Sequence, residues 1–206
     1  MKPWQQVPLS EKIDKLQSAS EAVRIADLIV DSTLSFWNLR TNTTIQDLDG
    51  SKIDQEIEFT IPKISVTASK GSETETRSFF GDAYCRQGGF EVIDGINYVS
   101  KARSLAEETL ELLQAPNCPN RNMDVLIAPD QMILQIHESI GHPLELDRIL
   151  GDERNYAGGS FVVPEMFGTF RYGSALLNVT FDPTVRGQFA SYDFDDEGIL
   201  SEKAYL

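Results

Sequence analysis

Histidine and cysteine are both scarce, with two of each among the 206 residues. Two cysteines, Cys85 and Cys118, are too few for a disulfide framework and fit a reducing compartment, so a cytoplasmic protein is the default expectation. Basic charge is also short: 18 Lys plus Arg face 32 Asp plus Glu, for a formal net charge of −14. An excess of that sign repels phosphate backbones and anionic lipid, which argues against a nucleic-acid partner and against a membrane surface. Long apolar runs are missing as well. The start, Met1 to Pro8, has no apolar stretch of the kind a signal sequence needs, and the most apolar early segment, Ala22 to Val30, is interrupted by Arg24 and Asp27. Neither a secretory signal nor a transmembrane span is expected. Internal repeats and low-complexity tracts are absent too.

What remains is an ordinary globular composition, 41% hydrophobic and 24% charged, long enough for one sizeable core or somewhat more. Ser10 is placed to cap a helix whose apolar positions, Ile13, Leu16, Val23, Ala26 and Val30, recur at helical spacing, which predicts a helix from Glu11 to Asp31. From Leu34 to Ile93 the rhythm changes to two, as in Ile57, Phe59, Ile61 and then Ile64, Val66, Ala68. Asp49-Gly50, Lys70-Gly71, Gly88-Gly89 and Asp94-Gly95 supply turn chemistry, so an antiparallel meander is expected, with Pro62 marking an edge or a break. A second amphipathic helix runs through Val99, Ala102, Leu105, Ala106, Leu110 and Leu113 and stops before Pro116. Then come a turn-rich connector, a short apolar strand over Val125 to Ala128, and a third helix capped by Asp130 and carrying Met132, Ile133, Leu134 and Ile136. Gly151 to Gly173 reads as a long loop, Leu176 to Phe181 as a strand, and Asp193 to Gly198 as an acidic turn. The fold class is α+β, an antiparallel sheet flanked by helices, with residues 1–115 and 116–206 as its two parts.

Both histidines fall in one short segment, His137-Glu138-Ser139-Ile140-Gly141-His142. Imidazole nitrogen is the commonest protein ligand for zinc, and a glutamate beside the first histidine is placed to act on a metal-bound water. Zinc peptidases usually space such histidines four apart, on one face of a helix. Here the separation is five, and at about 100° per residue that leaves the rings roughly 140° apart on a regular α-helix. Gly141 relaxes the backbone and Pro143 disfavours α geometry at His142, so the helix is expected to end or widen into a π-type turn between Ile140 and Pro143. The plainer alternative is a histidine pair at the carbonyl end of a helix, with Glu138 a solvated charge.

The stretch Leu134-Gln135-Ile136-His137-Glu138-Ser139-Ile140-Gly141-His142-Pro143-Leu144-Glu145-Leu146-Asp147 resembles the HExxxH segment of the TldD/PmbA family, candidate zinc metallopeptidases of which some carry the label modulator of DNA gyrase. The order of helix, sheet and helix upstream is similar to that family, as are Phe181-Asp182-Pro183 and Asp195-Asp196-Glu197-Gly198 downstream. Retention of the motif resembles the TldD-like branch rather than the PmbA-like one. The resemblance implies that His137 and His142 are zinc ligands and Glu138 the catalytic residue of a peptidase acting on peptides or unfolded segments. It also implies a preceding N-terminal segment and a following C-terminal half that supplies a further zinc ligand, a cysteine, with residues 116–206 as the start of the metallopeptidase domain. Partners implied are a homologous TldE/PmbA-like subunit or a second copy. The competing reading is a noncatalytic assembly module pairing through exposed strand edges. Gyrase modulation by direct DNA contact suits the charge balance poorly.

Other residues near the motif are weaker candidates. Cys118, and less so Cys85, could complete the ligand set, though neither has ligand-pair spacing. Glu145 and Asp147 stand close enough to hydrogen-bond the second nitrogen of a ligand ring, Asp147 being preferred and Glu145 favoured as an ordinary surface carboxylate. Tyr156 and Tyr172 could contact substrate or simply pack. The cluster from Asp193 to Glu197 lacks the spacing of a calcium loop and reads as a solvated turn.

Overall fold

The computed structural model describes residues 2–206, the side chains of Phe80, Asp82 and Ala83 excepted. The chain divides into two compact units, Met1–Cys118 with Thr180–Leu206, and Pro119–Val179. The architecture is α+β, with an antiparallel sheet and flanking helices. No described helix is long and apolar enough to cross a membrane.

In the first unit, α1 spans Leu9–Ala22. Its N-cap is Pro8, whose fixed φ presets the entry, and Ser10 lies inside the first turn rather than capping it. The helix ends well short of the predicted Asp31. Leu28 already accepts the Ser69 N–H at 2.9 Å, and β1 runs over Ile29–Gln46. Ile29 and Val30 are β-branched, and sheet pairing outweighs the helical spacing that continues through them.

β1 pairs along its whole length with β2, Lys52–Lys70, and β2 pairs with β3, Glu73–Phe80, and with the short β4, Arg86–Gln87. The β1–β2 turn is closed by Asp47, whose carboxylate accepts the N–H groups of Asp49 and Ser51, each at 3.0 Å, and by Gly50 at φ 88°. Pro62 neither breaks this sheet nor lies on an edge strand. It faces Phe36 on β1, while on the other side β2 changes partner between Lys63↔Phe80 and Thr60↔Arg86, so no registered pair there calls for the missing N–H.

The β1–β2 hairpin switches its apolar face halfway along. Near its base, Leu34, Phe36, Ile64, Val66 and Ala68 share a face with α1 and with α3, Tyr98–Leu112. There they form the core with Ala19, Val23, Phe90, Ile93, Tyr98, Ala102, Leu105 and Ala106. Burying each large side chain of this set contributes about 1.5–3 kcal/mol. The Tyr98 hydroxyl donates to the Lys63 carbonyl at 2.7 Å, and burial pushes its phenol well above the ordinary range. Towards the tip, the opposite face carries Ile53, Ile57, Phe59 and Ile61, and residues 180–206 cover part of it. Phe189 packs edge-on against Phe59 at 4.9 Å, and the Gln55 amide both accepts from Asp193 and Phe194 N–H and donates to the Phe194 carbonyl. Within this segment β5, Thr180–Phe181, pairs with β6, Ala204–Tyr205, so the predicted strand from Leu176 is limited to its last two residues.

An ion cluster ties the first residues to α2, Glu91–Asp94. Asp94 accepts from Lys15 at 2.5 Å and Lys2 at 3.2 Å. Partial burial raises the affinity of the Asp94 carboxyl for its proton, but the two lysine hydrogen bonds outweigh that and its pKa lies below the usual carboxylate value. Its contribution is therefore present above the unfolded pKa of about 3.9 and disappears as pH falls through the lower folded value. Asp94→Asn is expected to lose up to about 1 kcal/mol at pH 7, the upper range for exposed pairs. Urea denaturation of both proteins at pH 7 and pH 3 checks this; a difference unchanged at pH 3 would contradict it.

The second unit starts without the strand expected over Val125 to Ala128. Among the described residues that run has no ladder partner, and Val125 and Leu126 are 76% and 100% exposed. An apolar run becomes a strand only where another strand meets it. α4 follows, Pro129–Ile136, with Ala128 as N-cap and Pro129 at the first position. Asp130 lies in the first turn, where its charge suits the helix dipole, but it makes no capping bond.

Candidate metal centre

α4 leads directly into a π-turn, His137–Gly141, and then a 3₁₀ turn, His142–Leu144. The His142 N–H donates to the His137 carbonyl, five residues back, which is the π pattern. The departure from α geometry thus begins at His137, earlier than Ile140. Glycine is not what permits it: Gly141 has helical angles, φ −56° and ψ −69°, and a Cβ there would meet nothing closer than the Ile136 carbonyl at 3.9 Å.

Proline matters more. A regular α-helix would take a hydrogen bond from residue 143 to the Ser139 carbonyl, and Pro143 has no N–H to give. The structure fills that vacancy with the Tyr172 hydroxyl, which donates to the Ser139 oxygen. Burial pushes the Tyr172 phenol above its ordinary value. Ser160 Oγ adds a second strap, donating to the Pro143 carbonyl at 2.6 Å, and Ile140 is buried.

The widened turn brings the two imidazoles together. The ring centroids of His137 and His142 are 4.2 Å apart at 72°. With one ligand atom taken from each, His137, Glu138 and His142 lie within 4.8 Å of one another, and His137 Nε2 stands 3.8 Å from Glu138 Oε1. The site is open, the three side chains being 57%, 59% and 28% exposed in that order. Two imidazoles and a carboxylate are the borderline donor set that zinc takes, whereas magnesium and calcium prefer oxygen alone.

His142 has a partner on its far side. Its Nδ1 is 2.9 Å from Glu145 Oε1, and Arg148 Nε donates to the other oxygen of that carboxylate. The His142 contact, with help from Arg148, outweighs the opposing effect of burial and holds the Glu145 carboxyl below its usual range. Asp147, the preferred sequence candidate for this place, instead accepts the Arg148 N–H at 2.7 Å in the first turn of α5, Leu146–Leu150. The spacing supplies the reason: three residues from His142 in a tight turn brings a side chain back over the ring, while Asp147 is carried onto the next helix.

The remaining candidates are not members of the three-residue cluster. The cluster includes neither Cys85, which is buried, nor Cys118, which is exposed. Tyr156 is exposed, and Tyr172 is engaged by the turn as described. In the acidic turn Asp195 accepts the Glu197 and Ile199 N–H groups, and Gly198 completes it at φ 80°.

The profile of the PmbA/TldA metallopeptidase C-terminal domain matches residues 120–206. A metalloprotease of Methanothermobacter thermautotrophicus is 27% identical over 206 residues, covering 100% of this chain and 42% of the relative. A metalloprotease of Methanocaldococcus jannaschii is 30% identical over 158 residues, 77% of this chain and 32% of the relative. The chain belongs to the TldD/PmbA family. A crystal structure of a Thermotoga maritima protein, described as a candidate modulator of a DNA gyrase, superposes with a TM-score of 0.70 at 15% identity, over 100% of this chain and 44% of that one. At that identity the likeness shows the TldD/PmbA fold alone. The chain spans less than half the length of the relatives it matches.

Proposed function

We propose that this chain carries the catalytic segment of a zinc peptidase acting on peptides or unfolded segments. The observation that supports it best is the π-turn, which sets both histidine rings side by side with Glu138 at their edge. His137 and His142 would hold the ion through ring nitrogens. Catalytic zinc usually has three protein ligands, and a cysteine from outside the 206 residues is the proposed third. When bound, zinc acidifies a coordinated water and polarises the scissile carbonyl. Glu138, exposed and 3.8 Å from His137 Nε2, accepts the proton of the attacking water at a carboxylate oxygen and returns it to the departing amine. The relatives' description as metalloproteases agrees with this chemistry.

The full-length protein is expected to contain about one zinc per chain and to cleave an unstructured peptide. Cleavage should stop on treatment with a chelator and return with added zinc. Chelator-insensitive cleavage, or none at full zinc occupancy, would count against the proposal. A second reading has its own support: among the described residues β1 has no registered partner on its outer side along Ile29–Gln46. Pairing with a homologous subunit or a second copy along that edge is compatible with catalysis.

A further inference from the structure

Beyond the ring pair lies a relay of side chains that the metal-centre reading does not need and that the sequence ranked low. Glu145 meets His142 Nδ1 at 2.9 Å with one oxygen and receives Arg148 Nε with the other. The same guanidinium donates through Nη1 to the Ala157 carbonyl at 2.5 Å, and its side chain is only 16% exposed. The backbone repeats the link, because Ser160 N–H donates to the Arg148 carbonyl at 3.3 Å and Ser160 Oγ reaches back to Pro143. Two routes therefore connect the residues around His142 to the loop after Gly151, where α5 ends at φ 87°.

We infer that Glu145 and Arg148 are positioning residues that fix the tautomer and direction of His142, and that the loop around Ala157 to Ser160 is their anchor. The chemistry follows from donor counting. An ionised carboxylate can only accept, so His142 Nδ1 carries the proton and Nε2 presents its lone pair. A ring held in that way is a better ligand, since neither its tautomer nor its rotation has to be selected when an ion arrives. Arg148 acts on Glu145: its planar fork holds one carboxylate oxygen and the Ala157 carbonyl together, a geometry that lysine does not reproduce. This inference rests on the proposal that His142 is a ligand, but one half of it concerns the metal-free protein.

The test uses two readouts on the protein and its Glu145→Ala, Glu145→Gln and Arg148→Ala variants. Imidazole nitrogen resonances of the metal-free protein are expected to show His142 in the Nδ1–H form, shifting towards a mixture of tautomers in Glu145→Ala and Arg148→Ala. Zinc affinity, measured by competition with a chelating dye, is expected to fall about 10–100-fold in Glu145→Ala. It should fall less in Glu145→Gln, whose amide oxygen still accepts from Nδ1. Unchanged resonances together with affinity within about twofold of the original in Glu145→Ala would overturn the inference. His142→Ala separates the two layers. If it binds zinc as the original does, the ligand assignment of His142 fails, while the tautomer readout still decides whether Glu145 orients the ring.

Discussion

Glu138→Gln is expected to reduce peptide hydrolysis by about 10²–10⁴-fold, the range for a lost general base, while zinc content and thermal stability stay as they were. The substitution preserves shape and removes only the ability to take a proton. Its contacts make the result readable: Glu138 is 59% exposed, with His137 Nε2 3.8 Å from its carboxylate, so little of the fold depends on it. The same proximity defines the competing outcome. Were Glu138 itself a ligand, which its place within the 4.8 Å cluster permits geometrically, the glutamine variant would lose metal along with activity. Full activity in the variant would remove Glu138 from the reaction altogether. Steady-state cleavage of an unstructured peptide, with zinc measured on the same samples, distinguishes the three.

The motif was legible in the sequence because it conflicts with a local rule. Histidines five positions apart cannot share one face of an α-helix, and Pro143 marks where the conflict is resolved, so a widened turn could be anticipated near His142. Its extent could not. The turn starts at His137, and the group that completes it, the Tyr172 hydroxyl on the Ser139 carbonyl, comes from 33 residues away. The same holds for Glu145 over Asp147, a choice made by the pitch of a 3₁₀ turn and by Arg148.

In the first unit the meander and the helix over Tyr98–Leu112 followed from periodicity, since each buries one regular face. The overrun of α1 and the misread run at Val125 share one cause. Ile29 and Val30 lie in a strand with a partner and join the sheet, whereas among the described residues Val125 to Ala128 have none and form no strand, and no local pattern reports the presence of a partner. Residues 52–70 show the limit most clearly: two alternations in opposite phase meet near Pro62, because the helices and residues 180–206 cover opposite faces of one long hairpin.

Replacing either histidine by alanine is expected to weaken zinc binding more than about 100-fold, beyond what the loss of a supporting partner costs. The two variants should differ in everything else. His137 is exposed, and the side-chain interactions described for it are with Glu138 and the other ring, so His137→Ala should unfold at the same temperature as the original metal-free protein. His142 is tied through Glu145 and Arg148 to the Ala157 carbonyl, so His142→Ala should also loosen that loop, seen as faster amide exchange around Ala157 to Ser160. Calorimetric zinc titration and hydrogen exchange on the metal-free variants supply both measurements. Zinc retained by both variants would mean that the rings stand together for structural reasons alone, and the peptidase proposal would fall with them. Zinc lost by both, with exchange altered only in His142→Ala, would place binding on the pair and rigidity on one member of it. That asymmetry is expected of a turn in which one ligand lies on an open helix end and the other is braced from behind.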